Sequence, residues 1–289
     1  MKEIKKTIEN IRFLVSLARS SVKIREVEIE EKDGVFHLRP QVHVLLRAGT
    51  GSLKSTILNY VKRVTDAVYV DTSTTPGLIG TIEAKTFQVV PGVAWTGRKK
   101  LLLFDEFTFR KKSDDQIVFL KLLEDQCYSK KFGMFSPGQV ETDGDLYFKV
   151  EKGSIEIKTR FAGVIATMKR FESFRGENFK ALLNRTIPYE FSFSLDELDY
   201  LLSRTKLFEP IDYKVKANYL VKYKDYNKIK RYVYSKLEDD RVSRENFARI
   251  VGDAVRTHCI TGNFSKRVIK NLIDWKLSSY SKIGLFFKK

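Results

Sequence analysis

Residues 45–56 read L-L-R-A-G-T-G-S-L-K-S-T, an apolar run that turns through two glycines into a helical pattern, with a lysine and hydroxyls where the turn ends. Those residue types at that spacing make a degenerate phosphate-binding loop. The strict pattern, G-x-x-x-x-G-K-[ST], surrounds a β-phosphate with backbone N–H groups at a helix start, sends its lysine to the β/γ oxygens and holds Mg²⁺ on its hydroxyl. Here Gly49 and Gly51 keep the backbone bare and Lys54 and Ser55 keep the chemistry, while Ala48 and Leu53 stand where the strict pattern has glycine. The candidate nucleotide contacts are therefore Ala48, Gly49, Thr50, Gly51, Ser52, Leu53, Lys54, Ser55 and Thr56. A motif this short acquires meaning only from its surroundings.

The second carrier of chemistry is L-L-L-F at residues 101–104, which runs into Asp105 and Glu106. An apolar strand ending in two acids can set one carboxylate at a Mg²⁺ shell and the next beside an attacking water. That is a Walker B motif, with Ser55 and Asp105 as the metal side and Glu106 as the catalytic carboxylate. An Asp-Glu pair after a strand can equally be a solvated strand end. Its place on another strand of the same expected sheet is what ties it to the loop.

The elements that must position these groups follow from apolar periodicity. Ile4, Ile8, Ile11, Leu14, Val15 and Ala18 recur at helical spacing, and Val22, Ile24, Val27 and Ile29 then alternate as in a strand. Strands are expected at 42–46, 67–70, 100–104, 161–166 and 187–191, with helices at 55–64 and through Ile117, Leu120 and Leu123. Apolar strands alternating with helices predict an α/β domain built on a mostly parallel sheet. Two stretches, 72–97 and 127–159, exceed what such a domain needs, and long excursions of this kind are usually functional. In the second, Leu146, Phe148 and Val150 face Ile155 and Ile157 across Lys152 and Gly153, the pattern of a β-hairpin. After Ser194 the periodicity is helical. The expected organisation is a lead-in helix and strand over 1–38, the nucleotide-binding α/β domain over 39–194 and a basic helical domain over 195–289.

Composition narrows the partners. The 289 residues are 43% hydrophobic and 12% aromatic, enough for a sizeable core. No apolar run is long enough for a membrane span, and the start carries charge where a signal peptide needs its apolar core, so a cytoplasmic protein is expected. Two cysteines make no disulfide framework, and His37, His43 and His258 show no ligand spacing, so metal chemistry would use oxygen ligands and Mg²⁺. A formal charge of +17 attracts polyanions, nucleic acid first among them. A Lys-rich surface suited to solubility or heat tolerance is the other explanation of that surplus.

Taken in order, the segments over residues 38–256 resemble the minichromosome maintenance (MCM) helicases of the AAA+ class, motor and lid only. L-R-P-Q-V-H-V-L-L-R-A-G-T-G-S-L-K-S-T-I-L-N-Y-V at 38–61 is similar to the family's Walker A region, whose loop G-x-P-G-x-A-K-S also lacks glycine before its lysine. P-G-L-I-G at 76–80 and P-G-V-A at 91–94 resemble the insertion in helix 2, and Q-C-Y-S-K-K-F-G-M at 126–134 the start of the pre-sensor-1 hairpin. On that match Lys130 and Lys131 would touch DNA phosphates, or the hairpin's tip would fall near Lys152. R-F-A-G-V-I-A-T-M at 160–168 resembles the sensor 1 strand, but Met168 replaces the family's asparagine, so Thr167 substitutes for it or hydrolysis is impaired. A-L-L-N-R at 181–185 resembles the box whose arginine reaches a neighbour's γ-phosphate, which makes Arg185 a candidate finger. A helix-end dipole partner is its other reading. V-S-R-E-N-F at 242–247 is similar to sensor 2, with Arg244 as its arginine.

The resemblance implies ATP and Mg²⁺ as cofactors, DNA as a partner bound without sequence preference, and a homo-oligomeric ring, a hexamer by family likeness. Residues 1–38 hold no counterpart of the family's amino-terminal DNA-loading region, and the shortened, divergent architecture fits a viral or mobile-element protein. Three functions are compatible with these residues. The first is an ATP-driven nucleic-acid motor. The second is a nucleotide-gated DNA-binding or assembly protein with weak or no hydrolysis, and the third a remodeller of protein assemblies, distinguished by insensitivity to DNA.

Overall fold

The computed structural model describes residues 2–70, 74–83, 85–86, 88–106, 113–131, 138–167 and 177–284. In chain order its elements begin with α1 (Lys2–Ser21), β1 (Glu26–Glu31), β2 (Gly34–Leu38), β3 (His43–Arg47), α2 (Lys54–Val64) and β4 (Val68–Val70). The first excursion holds α3 (Thr75–Ile79), β5 (Gly80–Ile82), β6 (Val89–Pro91) and α4 (Val93–Thr96), and leads to β7 (Leu101–Phe104) and α5 (Ser113–Glu124). The second holds β8 (Cys127–Lys131), β9 (Gln139–Asp143), β10 (Leu146–Glu151) and β11 (Ser154–Lys158). Then come β12 (Ala162–Thr167), α6 (Glu177–Arg185), β13 (Thr186–Glu190), α7 (Leu195–Leu202), β14 (Asn218–Val221), α8 (Tyr223–Tyr234), α9 (Arg241–Thr261) and α10 (Lys266–Gly284).

The expected sheet forms from β13, β3, β12, β7 and β4, in that order and with every neighbour parallel. Its strands are apolar throughout because both faces are covered. Alternate residues serve opposite cores: Leu46, Leu101, Leu103 and Val164 join one, Leu45, Leu102, Phe104 and Ile165 the other. The first core also receives Ile11, Leu14 and Ala18 of α1, Leu58 and Val61 of α2, and Ile250, Val255, Leu272 and Ile273 of α9 and α10. The three expected segments of the chain thus share one continuous apolar interior. The second core is closed by Trp95, Phe119, Leu123, Phe179 and Leu183, and by Phe148, Val150, Ile155 and Ile157 of the second excursion.

Three differences from the sequence reading stand out. The alternation at 22–29 is only partly a strand: α1 runs to Ser21, Val22 and Ile24 are buried in the turn that follows, and β1 begins at Glu26. A second strand, β2, folds back on β1, where the exposed residues Val35 and Phe36 give no alternating signal. In the half expected to be wholly helical, β14 pairs in parallel with β1, from Glu26↔Asn218 to Ile29↔Val221. Four residues are too short for a periodic signal, and the pairing depends on a partner far away in sequence.

Among the described residues each excursion forms a small sheet of its own. Gly80, at φ 117°, pairs with Pro91, and a Cβ on Gly92 would lie 2.4 Å from the Leu78 carbonyl, so Gly80 and Gly92 are needed as glycines at one close backbone crossing. In the second excursion the strand order is β8-β11-β10-β9, all antiparallel. Its central turn is at Lys152 and Gly153, φ 48° and 75°, the two positive φ values of a type I′ hairpin.

Candidate functional site

A parallel sheet delivers the C-terminal ends of all its strands to one edge, which is where α/β proteins bind ligands. The loop after β3, the acids after β7 and the end of β12 therefore meet. Because β12 lies between β3 and β7, two inter-strand spacings of together about 10 Å separate the loop strand from the acid strand. Thr167, level with Arg47 of β3, occupies the middle.

Within the loop Gly49, Thr50, Gly51 and Ser55 are exposed, Ala48, Ser52 and Lys54 are buried, and Leu53 and Thr56 lie between these extremes. Gly51 has φ 75° and Leu53 φ 61°, ψ 13°, so the chain enters α2 through two left-handed residues. This is why the strict motif prefers glycine before lysine: a side chain there costs about 1–2 kcal/mol. Lys54 turns back on the loop, its Nζ donating to the carbonyls of Ala48 at 2.9 Å and Gly49 at 2.6 Å. Burial lowers the pKa of that ammonium, Asp105 and Glu106 oppose the shift, and Arg47 adds to it. α2 starts with no acid in its first turn and no side-chain cap, leaving its first N–H groups directed at the loop's mouth.

Asp105 is held from two sides. Its Oδ2 accepts a hydrogen bond from the Tyr69 hydroxyl, and its Oδ1 accepts the Glu106 N–H at 2.9 Å. Glu106 has φ 48° and is exposed, which turns its carboxylate out of line with β7. Thr167 is buried, and its carbonyl accepts the Ala48 N–H at 3.4 Å, a direct link between the end of β12 and the loop. Met168 lies outside the described residues.

Beside Gly49 a cavity of about 350 Å³ is lined by Phe191 and Ser192 after β13 and by Trp275, Ser278 and Lys282 of α10. Its rim is an ion-paired group in which Glu190 binds Arg47 through one oxygen and Lys282, at 2.8 Å, through the other. Sequence reasoning missed Tyr69, Arg47, Glu190 and Lys282. An aromatic on a short strand and charges at strand ends carry no local signature; only the strand order brings them to this edge.

The remaining candidates lie elsewhere. Arg185 ends α6 just before β13, at the opposite edge of the sheet from the loop. Its Nε is 2.7 Å from Glu124 Oε2 and its Nη1 donates to the Ala181 carbonyl at 3.0 Å, the helix-end arrangement of its alternative reading. Arg244, on the first turn of α9, is 69% exposed and 3.7 Å from Asp239. No described contact joins it to the loop. Lys131 pairs with Ser154 and Lys130 with Ile155, so the two lysines of β8 and the turn at Lys152 share one end of the antiparallel sheet. The two positions expected for the hairpin's tip are thus neighbours.

Fold and site together define an α/β protein with a five-stranded, all-parallel sheet compatible with a phosphate-loop fold. The chain matches no protein-family model and no curated protein. Among the described residues no helix is long and apolar enough to cross a membrane.

Proposed function

We propose that this chain is an MCM-like AAA+ ATPase, a DNA helicase or translocase-like enzyme that works as a homo-oligomeric ring and hydrolyses Mg-ATP between subunits. The observation that carries this reading is the meeting of Lys54, Asp105, Glu106 and Thr167 at one edge of the parallel sheet, beside the uncapped start of α2. The donor set suits the nucleotide. Backbone N–H groups of the loop and α2 and the Lys54 ammonium would bind phosphate oxygens, and Ser55 with Asp105 offers the hard oxygens Mg²⁺ takes. The metal, when bound, neutralises phosphate charge. Glu106 would take a proton from water, with the Thr167 hydroxyl orienting it. The cavity lined by Phe191 and Trp275 adjoins the loop and has room for a nucleobase.

From a neighbouring subunit, Arg185 and Arg244 would complete the site, which requires the Glu124 pair of Arg185 to open. The hairpin end with Lys130, Lys131 and Lys152 would contact DNA phosphates, in keeping with the charge of +17. Residues 39–194 would act as motor and 195–289 as lid. A second reading, a nucleotide-gated assembly protein with weak hydrolysis, is favoured by the left-handed Leu53 and by the intramolecular engagement of Arg185.

The deciding experiment is ATP turnover with and without single-stranded DNA, on wild type and Lys54→Ala. DNA-stimulated turnover that Lys54→Ala abolishes is expected. ATP-dependent oligomers without turnover would establish the second reading, and turnover indifferent to Lys54 would end both.

A further inference from the structure

We propose that the basic, tyrosine-laced face formed by α8 and the start of α10 is a second nucleic-acid surface, which grips the phosphate backbone of a single strand separately from the hairpin end at Lys131 and Lys152. The inference rests on the nucleic-acid part of the function proposed above and is independent of its ATP site. Residues 213–236 hold eight lysines and arginines, six tyrosines and one acid, Asp225, so this short stretch supplies a large share of the net +17.

The geometry makes a face of that composition. On α8, Ile229 and Val233 point into the core, while Lys224, Lys228 and Arg231 are exposed at four- and three-residue spacing along one stripe. Tyr234, one turn beyond Lys230 and Arg231, is 75% exposed. The stripe continues onto α10 through a pair of rings: Tyr232 and Phe264 meet edge to face at 5.9 Å, and the Tyr232 hydroxyl donates to the Lys266 carbonyl at 3.1 Å. Three ammonium groups gather there, Lys228 at 4.5 Å from the Phe264 centroid and Lys236 and Lys266 at 5.8 and 5.9 Å from that of Tyr232.

An aromatic face holds a cation in place without cancelling its charge, so these lysines are positioned yet still available to an anion. Among the described residues, no carboxylate is within ion-pair distance of Lys228, Arg231, Lys236 or Lys266. Of the nearby acids, Asp240 caps α9 through the Ser243 N–H at 2.7 Å and Asp239 lies 3.7 Å from Arg244, which leaves Asp225 and Glu238 as the acids beside eight lysines and arginines. The apolar side of α8 is used up in the core, which leaves nothing to insert into a lipid surface. Spaced cations with an exposed tyrosine match a strand whose phosphates pair with lysine and whose bases stack on rings. The rings of this face pack on the core that holds α1 and α2, whereas the hairpin sheet packs on the other, so the two surfaces are distinct.

The test is fluorescence anisotropy of labelled oligothymidylate across a range of KCl concentrations, on wild type, on Lys228→Gln/Arg231→Gln/Lys266→Gln and on Lys131→Gln/Lys152→Gln. Each phosphate contact contributes about 0.7 to the logarithmic salt slope on single strands, so the triple variant is expected to lose about 2 from that slope and roughly 100-fold in affinity at 0.1 M salt. Tyr234→Ala, which changes no charge, is expected to weaken binding about 10-fold with the slope unchanged. Wild-type affinity and slope in the triple variant, with loss only in Lys131→Gln/Lys152→Gln, would overturn this surface and leave the proposed function standing. No binding by wild type would overturn both. Binding of phosphatidylserine vesicles that oligothymidylate does not displace would identify a lipid surface and overturn the proposal.

Discussion

The Tyr69 hydroxyl donates a hydrogen bond to Asp105 across the β4–β7 pair. The register sets Tyr69 beside Leu103, two residues before Asp105 and on the same side of the sheet, so this contact follows from strand pairing. Asp105 is thereby aimed, with Oδ1 also engaged by the Glu106 N–H. Tyr69→Phe is expected to cost about 1.5–3 kcal/mol of stability, the range for a hydrogen bond to a charged group. Under the proposed Mg-ATP hydrolysis, it should also shift the Mg²⁺ concentration that gives half-maximal turnover. An unchanged Mg²⁺ midpoint would separate Asp105 from the metal.

Leu53 occupies left-handed space at the start of α2 and is also packed against the core. Leu53→Gly removes about 1–2 kcal/mol of backbone strain and gives up a comparable amount of apolar burial, so net stability should change by less than about 1 kcal/mol. With the side chain gone, the backbone N–H groups can approach a phosphate more closely, and ATP should bind several-fold more tightly in a fluorescent-nucleotide titration. Weaker binding would show that the leucine shapes the loop productively.

His43 gives a pH dependence with a defined sign. It is fully buried: its Nδ1 accepts the Gly163 N–H at 2.9 Å, so its Nε2 carries the proton toward the Leu123 carbonyl at 3.0 Å. Burial first, then Arg39, hold its pKa well below the ordinary histidine value; the Leu123 carbonyl works against this and Arg256 adds to it. Below about pH 6.5 the unfolded chain takes up a proton that the folded chain refuses. Stability therefore falls with acid by up to about 1.4 kcal/mol per pH unit in that range and is indifferent to His43 above it. Urea unfolding at pH 7 and 5.5 measures the slope, and His43→Gln should flatten it.

A buried ionic group fastens α9 and α10 to the N-terminal edge of the sheet. Asp253 binds Arg256 at 2.7 Å and Lys276 at 3.1 Å, Lys276 donates to the Thr186 carbonyl at 2.6 Å, and Arg256 donates to the Arg39 carbonyl at 2.6 Å. Burial pulls the Lys276 pKa down and Asp253 holds it up. Asp253→Asn is expected to cost about 3–5 kcal/mol, because it strands two buried cations. Adding Lys276→Met should recover part of that loss, and a double-mutant cycle by chemical denaturation gives the coupling, expected at about 1–3 kcal/mol. Strict additivity would mean that the lysine does not depend on the aspartate.

The five strands of the parallel sheet, the loop with its lysine, the acid pair and the turn at Lys152–Gly153 were legible in the residues themselves. Each is a local matter: a continuous apolar run marks a strand covered on both faces, and a turn needing positive φ selects glycine. What stayed hidden is long-range. β14 finds β1 from the far end of the chain, Tyr69 meets Asp105 and Arg47 meets Glu190 only because β7 lies beside β4 and β13 beside β3, and Arg185 turns to Glu124 at the edge away from the loop. Lys131 and Lys152, two separate candidates in the sequence, become neighbours through the β8–β11 register. Periodicity says which face of an element is buried, since that depends on residues a few positions apart. Which element it is buried against depends on register and strand order, and only the packed structure decides those.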